Sequence, residues 1–157
     1  MKAYAERSIK NLDRLARGEV PGYDVVPAGS TVLAALRAPS KLTPEGQIAA
    51  LEVASRLRGE EAQTVLANVL TDAKRPVSVR VAAANALVRH IQEFSPLLTR
   101  DQMRVVQAMY VQPNLALPLK SSLAVVIGSL QPNSRLTGER LLQYQPPVPG
   151  APPKKEK

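Results

Sequence analysis

The sequence predicts an all-α fold, helix packed on helix, from three observations. Aromatic residues are only 3% of the chain while Ala, Leu, Val and Arg are prominent, a composition that suits helices better than a sheet built on aromatic cross-strand pairs. Apolar residues recur at three- and four-residue steps, the spacing of one buried helix face. Prolines stand where such stretches begin, at Pro44, Pro76 and Pro118, where the missing N–H of a first helical turn costs nothing. The length, 157 residues, fits one domain.

A first helix is expected over residues 3–17, with Ile9, Leu12 and Leu15/Ala16 along one side. Gly18 and a loop holding Pro21, Gly22, Pro27 and Gly29 follow, then a short helix around 31–37. Thr43-Pro44 supplies an N-cap and a first-turn proline for a helix over 44–57, whose apolar residues are Ile48, Leu51, Val53, Ala54 and Leu57; Gly59 punctuates its end. Glu60 and Glu61 put negative charge at the positive end of the next helix, which carries Val65, Leu66, Val69 and Leu70 and closes at Asp72. Pro76 opens a longer helix to about Phe94, broken by Ser95-Pro96. Thr99-Arg-Asp-Gln102 has capping-box spacing ahead of Met103, Val106 and Tyr110, and Pro113-Asn114 stops that helix. Pro118 starts another through about Leu130, and Gln131-Pro132-Asn133 leads into a last amphipathic stretch with Leu136, Leu141 and Leu142. The expected pairing is three successive hairpins: 44–57 with 60–72, 76–94 with 99–112, and 118–130 with 133–144. Residues 145–157 hold five prolines and little to bury, so a disordered, basic tail of polyproline-II character is expected there.

The helix-starting prolines are 32 and 42 residues apart, which brackets one two-helix repeat unit. Within that spacing Leu70-Thr71-Asp72, Val79-Arg80 and Ala83-Ala84-Asn85-Ala86-Leu87 follow in order, and this stretch resembles the end of one HEAT repeat and the start of the next. The chain is similar to the HEAT and armadillo-like family over about 44–112, and more loosely over 113–144, where Leu119-Lys120 takes the Val-Arg place and Ser121-Ser122 interrupts the alanines. The resemblance implies a short right-handed α-solenoid of about three hairpins over 44–144, with residues 1–43 capping its apolar end. It also implies that Asp72 and Arg80 make polar contacts between successive repeats, while Ala83, Ala84 and Ala86 let paired helices approach closely. Such repeats supply a shape and leave the activity open.

Composition removes much chemistry. With no Cys there are no disulfides, thiolate nucleophiles, Fe–S clusters or thiolate zinc sites, and the single histidine, His90, leaves no imidazole cluster or His-based triad. His90 falls near the end of the long helix, where a cation would complement the dipole and the ring could cover apolar surface. Glu60 and Glu61 are adjacent, so their side chains diverge by about 100° on a helix and cannot straddle one bond as a glycosidase pair does. Phosphate-cradling glycine loops, nucleophile elbows and His-Glu-x-x-His are missing. No catalytic residue, cofactor or metal is therefore assigned. Two enzyme classes of similar shape, DNA glycosylases on helical repeats and lyases handling bilin chromophores, rank third among the readings. The N-terminus has charges where a secretory signal needs an apolar core, and no apolar run nears the roughly 20 residues that span a bilayer, so a soluble, cytoplasmic chain without membrane contact is expected.

The formal charge of +8 is spread unevenly. Residues 1–43 carry seven basic and four acidic groups, 44–112 eight and seven, and 113–157 six and two, so the recognisable repeats are almost neutral. Arg100, Arg104 and Gln107 fall at i, i+4 and i+7 on one helix face, and Arg135 and Arg140 could extend that stripe on the next second helix toward an acidic peptide or a phosphate backbone. In the tail, Pro149-Gly-Ala-Pro152-Pro153-Lys154 has the spacing of ligands for polyproline grooves, set against a plain solvated terminus. The leading expectation is a non-catalytic scaffold or adaptor binding another protein on the concave face of the solenoid. The alternative is nonspecific nucleic-acid or polyanion binding through the basic helix faces and the lysine tail.

Overall fold

The computed structural model of the chain describes residues 2–17, 19, 26–38 and 42–130. These form α1 (Lys2–Ala16), α2 (Gly29–Arg37), α3 (Pro44–Ala54), α4 (Glu60–Thr71), α5 (Val77–Phe94), α6 (Arg100–Tyr110) and α7 (Leu117–Leu130), with one turn of 3₁₀ helix, Val26–Ala28, leading into α2. Among the described residues there is no strand, and no helix is long and apolar enough to cross a membrane. The amphipathic stretch expected over 133–144, the tail over 145–157, and Arg135 and Arg140 lie outside the described residues.

Local chemistry sets the helix ends. Thr43 Oγ1 accepts from the Gly46 N–H at 3.2 Å with Pro44 following, and Thr99 and Gln102 close a reciprocal capping box on α6. Pro76 stands just ahead of α5 as its N-cap rather than in its first turn, and Pro118 is the second residue of α7. Helix α3 stops at Ala54, short of the expected Leu57, because Arg56 and Leu57 turn their N–H groups to the i−3 carbonyls of Val53 and Ala54. Gly59, at φ 119°, then turns the chain through a region closed to side-chain-bearing residues.

Interhelical contacts fall into two rows. Helices α1, α3, α5 and α7 touch in succession along one row, and α2, α4 and α6 along the other; across the rows α2 meets α3, α4 meets α5 and α6 meets α7. This corrects the expected hairpin pairing, since α4 lies extensively on α5 and only slightly against α3. The physical reason is side-chain size and polar closure on the α5 side. Ala83, Ala84 and Ala86 of α5 and Ala62 and Ala67 of α4 are all buried, so the two helices can approach closely. Arg80 of α5 also donates to the Leu70 carbonyl at the end of α4 (3.0 Å). The core between the rows is aliphatic, with Leu36, Leu51, Leu66, Leu70, Leu87, Leu119 and Leu123 fully buried. At the N-terminal end, Ile9 of α1 is buried with Leu12 and Leu15 beside the core, and the Glu6 carboxylate accepts the Thr43 N–H at 3.0 Å. Gly46 leaves room for that seat, since a Cβ there would lie 3.1 Å from Glu6 Cγ and the Glu6 side chain would have to give by a few tenths of an ångström.

Buried polar side chains tie the rows together. Arg75, in the α4–α5 link, is buried, and its guanidinium donates to Asp72 Oδ2 (3.1 Å), Gln47 Oε1 of α3 (2.8 Å) and the Leu36 carbonyl at the end of α2 (2.5 Å). Asp72, which also accepts the Lys74 N–H at 3.0 Å, is held below the ordinary aspartate range by that hydrogen bond first and by Arg75 next. Arg80 is also buried, and beyond Leu70 it reaches Met109 Sδ of α6 at 2.9 Å. Burial pushes its pKa down, partly offset by the charge of Asp72. Asp72 and Arg80 thus bond to different partners, with Asp72 turned to its own link and Arg80 toward α4 and α6.

His90 departs from expectation. It is fully buried, and desolvation lowers its pKa, so it is a neutral ring and not a cation serving the helix dipole. The ring bridges the Leu57 carbonyl (2.8 Å from Nε2) and Gln63 Nε2 (3.0 Å from Nδ1), and it tilts against Phe94 at 4.7 Å. Gln63, likewise fully buried, donates to the Ser95 carbonyl (3.1 Å) and accepts the Leu97 N–H (2.6 Å).

Removing the Arg75 guanidinium would strand the Leu36 carbonyl in the interior and take a buried hydrogen bond from Gln47, and a buried group without its partner costs far more than a surface bond is worth. Arg75→Met is expected to destabilise the protein by about 3 kcal/mol in urea denaturation.

Candidate functional site

A groove of about 190 Å³ runs between α4 and α6, lined by Ala67, Asn68 and Thr71 from α4 and by Asp101, Gln102 and Val105 from α6. Its geometry follows from how the two helices are held. Gln102 Nε2 donates to Thr64 Oγ1 of α4 at 3.1 Å while Gln102 Oε1 accepts the Thr99 N–H, so one side chain both caps α6 and spaces it from α4. Near the start of α4, Arg37 of α2 pairs with Glu61 at 2.6 Å. Val105 is 53% exposed and supplies the apolar wall with Ala67. Thr71 Oγ1 turns back to the Ala67 carbonyl at 3.0 Å, and the exposed Asn68 amide makes no hydrogen bond among the described residues. The groove therefore offers an apolar contact, a donor–acceptor amide and one carboxylate, Asp101.

The predicted basic stripe sits elsewhere on the same helix. At about 100° per residue, Arg100, Arg104 and Gln107 cluster on the side of α6 opposite the buried Val106 and Met109, whereas Asp101 and Val105 lie on the flank toward α4. Arg100, Arg104 and Gln107 are exposed, and Arg104 is paired to Asp101 at 3.2 Å with both side chains mostly in water. Arg135 and Arg140, which would extend the stripe, lie outside the described residues.

Other arginines are also matched to carboxylates. Arg89 of α5 and Arg56 both reach Glu52 of α3, Arg56 at 3.8 Å, and Arg17 binds Asp13 at 2.8 Å, a hydrogen bond that holds its pKa above the ordinary value. Among the described residues no three His, Asp or Glu side chains converge as metal ligands would.

Sequence reasoning singled out Asp72 and Arg80 but passed over Gln63, Arg75 and the grouping of the groove residues, for different reasons. Gln63 carried a usable signal, since it shares a face with Leu66 and Leu70 at i, i+3 and i+7, and His90 shares one with Ala83 and Leu87. Arg75 carried none, because a charged residue between Asp72 and Pro76 reads as a solvated turn. Asn68 and Val105 become a site only when α4 and α6 are set side by side.

Gln102→Ala removes half of the capping box and the Thr64 bridge, and a loss of about 1 to 2 kcal/mol is expected in urea denaturation. Arg104→Ala, breaking only an exposed pair, should change stability by no more than about 0.5 kcal/mol.

No protein-family model, no curated protein and no solved structure matches the chain.

Proposed function

We propose that this chain is a short HEAT-like α-solenoid that acts as a non-catalytic adaptor, binding an extended segment of another protein in the groove between α4 and α6. The carrying observation is the lining of that groove: the apolar wall of Ala67 and Val105 faces an Asn68 amide without a partner among the described residues. An apolar side chain of the bound segment would pack on Val105, and its backbone would pair with the Asn68 amide, which offers both a donor and an acceptor. The two-row order of helices supports the solenoid reading, since each row adds one helix per unit and leaves a furrow between neighbours. The polyanion reading is weaker on the same ground. A carboxylate, Asp101, lines the groove, and the described arginines nearby are paired or face away from it.

Peptides selected by display against the full chain provide the test. Binding of the selected peptides should fall by about tenfold or more on Val105→Asp or Asn68→Ala, and by less than about twofold on Arg100→Glu with Arg104→Glu. The opposite pattern, with single-stranded oligonucleotides binding at physiological salt and lost on the double charge reversal, would replace the adaptor reading with the polyanion one.

A further inference from the structure

The hydrogen bonds around His90 admit only one assignment. The Leu57 carbonyl accepts, so His90 Nε2 carries the proton; the Leu97 N–H donates, so it meets Gln63 Oε1; and Gln63 Nε2 then spends its two hydrogens on the Ser95 carbonyl and on His90 Nδ1, which must be bare. The ring nitrogens and the Gln63 amide are all satisfied while the imidazole is neutral. A proton on Nδ1 would face the Gln63 amide donor. Flipping the Gln63 amide to accept it would set two oxygens together at Ser95 and two N–H groups together at Leu97, so one bond gained costs two.

With the Gln102–Thr64 hydrogen bond, these bonds hold the start of α6 against α4. Ser95 and Leu97 belong to the link that ends α5 and leads into Thr99, the N-cap of α6. Ser95 is also the one non-glycine among the described residues with positive φ (68°, ψ 166°), a conformation that persists only while neighbours enforce it. Its carbonyl is held by Gln63, so the latch and the strain act on the same residue.

From this we propose that His90 is a pH-operated latch: protonation of its Nδ1 displaces Gln63, frees the Ser95–Leu97 link and unseats the start of α6 from α4. The proposal concerns the fold of the free chain, and its consequence for the groove between α4 and α6 rests on the reading of that groove given above. Charged groups around the ring leave the latch to this pair. Glu93, on the same helix, acts on it through space and favours its protonated form, while burial opposes that form more strongly. From the α3–α4 link, Arg58 lies over the Phe94 ring at 5.8 Å, and Arg56 and Arg89 are engaged with Glu52 of α3. Glu60 and Glu61 at the start of α4, and Arg100 and Asp101 at the start of α6, are exposed, and Lys120 of α7 lies over Tyr110. Because the folded ring resists protonation, the unfolded chain binds the proton first as pH falls below about 6.5. The closed state therefore loses stability toward acid, not toward base.

The chain has a single histidine, so a long-range ¹⁵N spectrum of the imidazole in the full-length protein reports this ring alone. The Nε2–H tautomer is expected at about pH 7.5, with a titration midpoint below the free-histidine value of about 6.5. Hydrogen exchange at the Leu97 amide, corrected for the intrinsic effect of pH, should accelerate about tenfold or more through that midpoint, while the Leu51 amide of α3 stays protected. An Nδ1–H tautomer at neutral pH, or a ring that titrates with no change at Leu97, would overturn the proposal. In Gln63→Met the pH dependence at Leu97 should vanish; if that variant does not fold, the wild-type titration decides. Since no ligand is present, failure here leaves the adaptor reading untouched.

Discussion

Helices of nine to eighteen residues stacked in two rows bury their ends as well as their faces, and every buried end leaves backbone carbonyls or N–H groups in need of a partner. In this chain the need is met by a few long polar side chains. Arg75 serves the end of α2 at Leu36, Arg80 the end of α4 at Leu70, His90 the turn after α3 at Leu57, and Gln63 the link after α5 at Ser95 and Leu97. Aliphatic burial drives the helices together, but burial is non-directional and would accept a range of offsets. A guanidinium with three fixed acceptors would not.

The position of these residues explains why α4 and α5 form the centre of the molecule. Three of the four ties originate on α5 or in the link that precedes it, and the fourth lies on α4. Through them α5 and its link reach α2, α3, α4 and α6 with hydrogen bonds, and α5 reaches α7 by apolar packing. The groove inherits this order. Its width depends on Gln102 against Thr64 and on the seating of the α5–α6 link, so the residues that line it are placed by residues that do not.

Much of the helical layout was legible in the sequence because its signals are local. Thr43-Pro44, the capping box from Thr99 to Gln102, and the Ser95-Pro96 break each act within one turn, and each described helix ends within a few residues of the expected positions. Pairing was less legible, since the stripe of α4 identifies a buried face without saying which neighbour covers it. Asp72 and Arg80 stood out through the repeat resemblance, whereas the other polar ties were the hardest to read. Arg75 looks like part of an ordinary charged turn, and His90 beside Arg89 looks like a helix-end cation, until packing removes water from them. The basic stripe illustrates the same limit from the outside: its i, i+4, i+7 spacing locates Arg100, Arg104 and Gln107 on one face, but only the neighbouring helix shows that the groove lies on another flank.

The claim that polar side chains fix the stacking of successive helices is tested most directly by a double-mutant cycle between Gln47 of α3 and Arg75 of the α4–α5 link, using Gln47→Leu and Arg75→Met in urea denaturation. These groups are 2.8 Å apart and both buried, so a coupling of about 1.5 to 3 kcal/mol is expected. Additivity within about 0.5 kcal/mol would contradict the account, because it would mean that the helices keep their offsets by apolar packing alone.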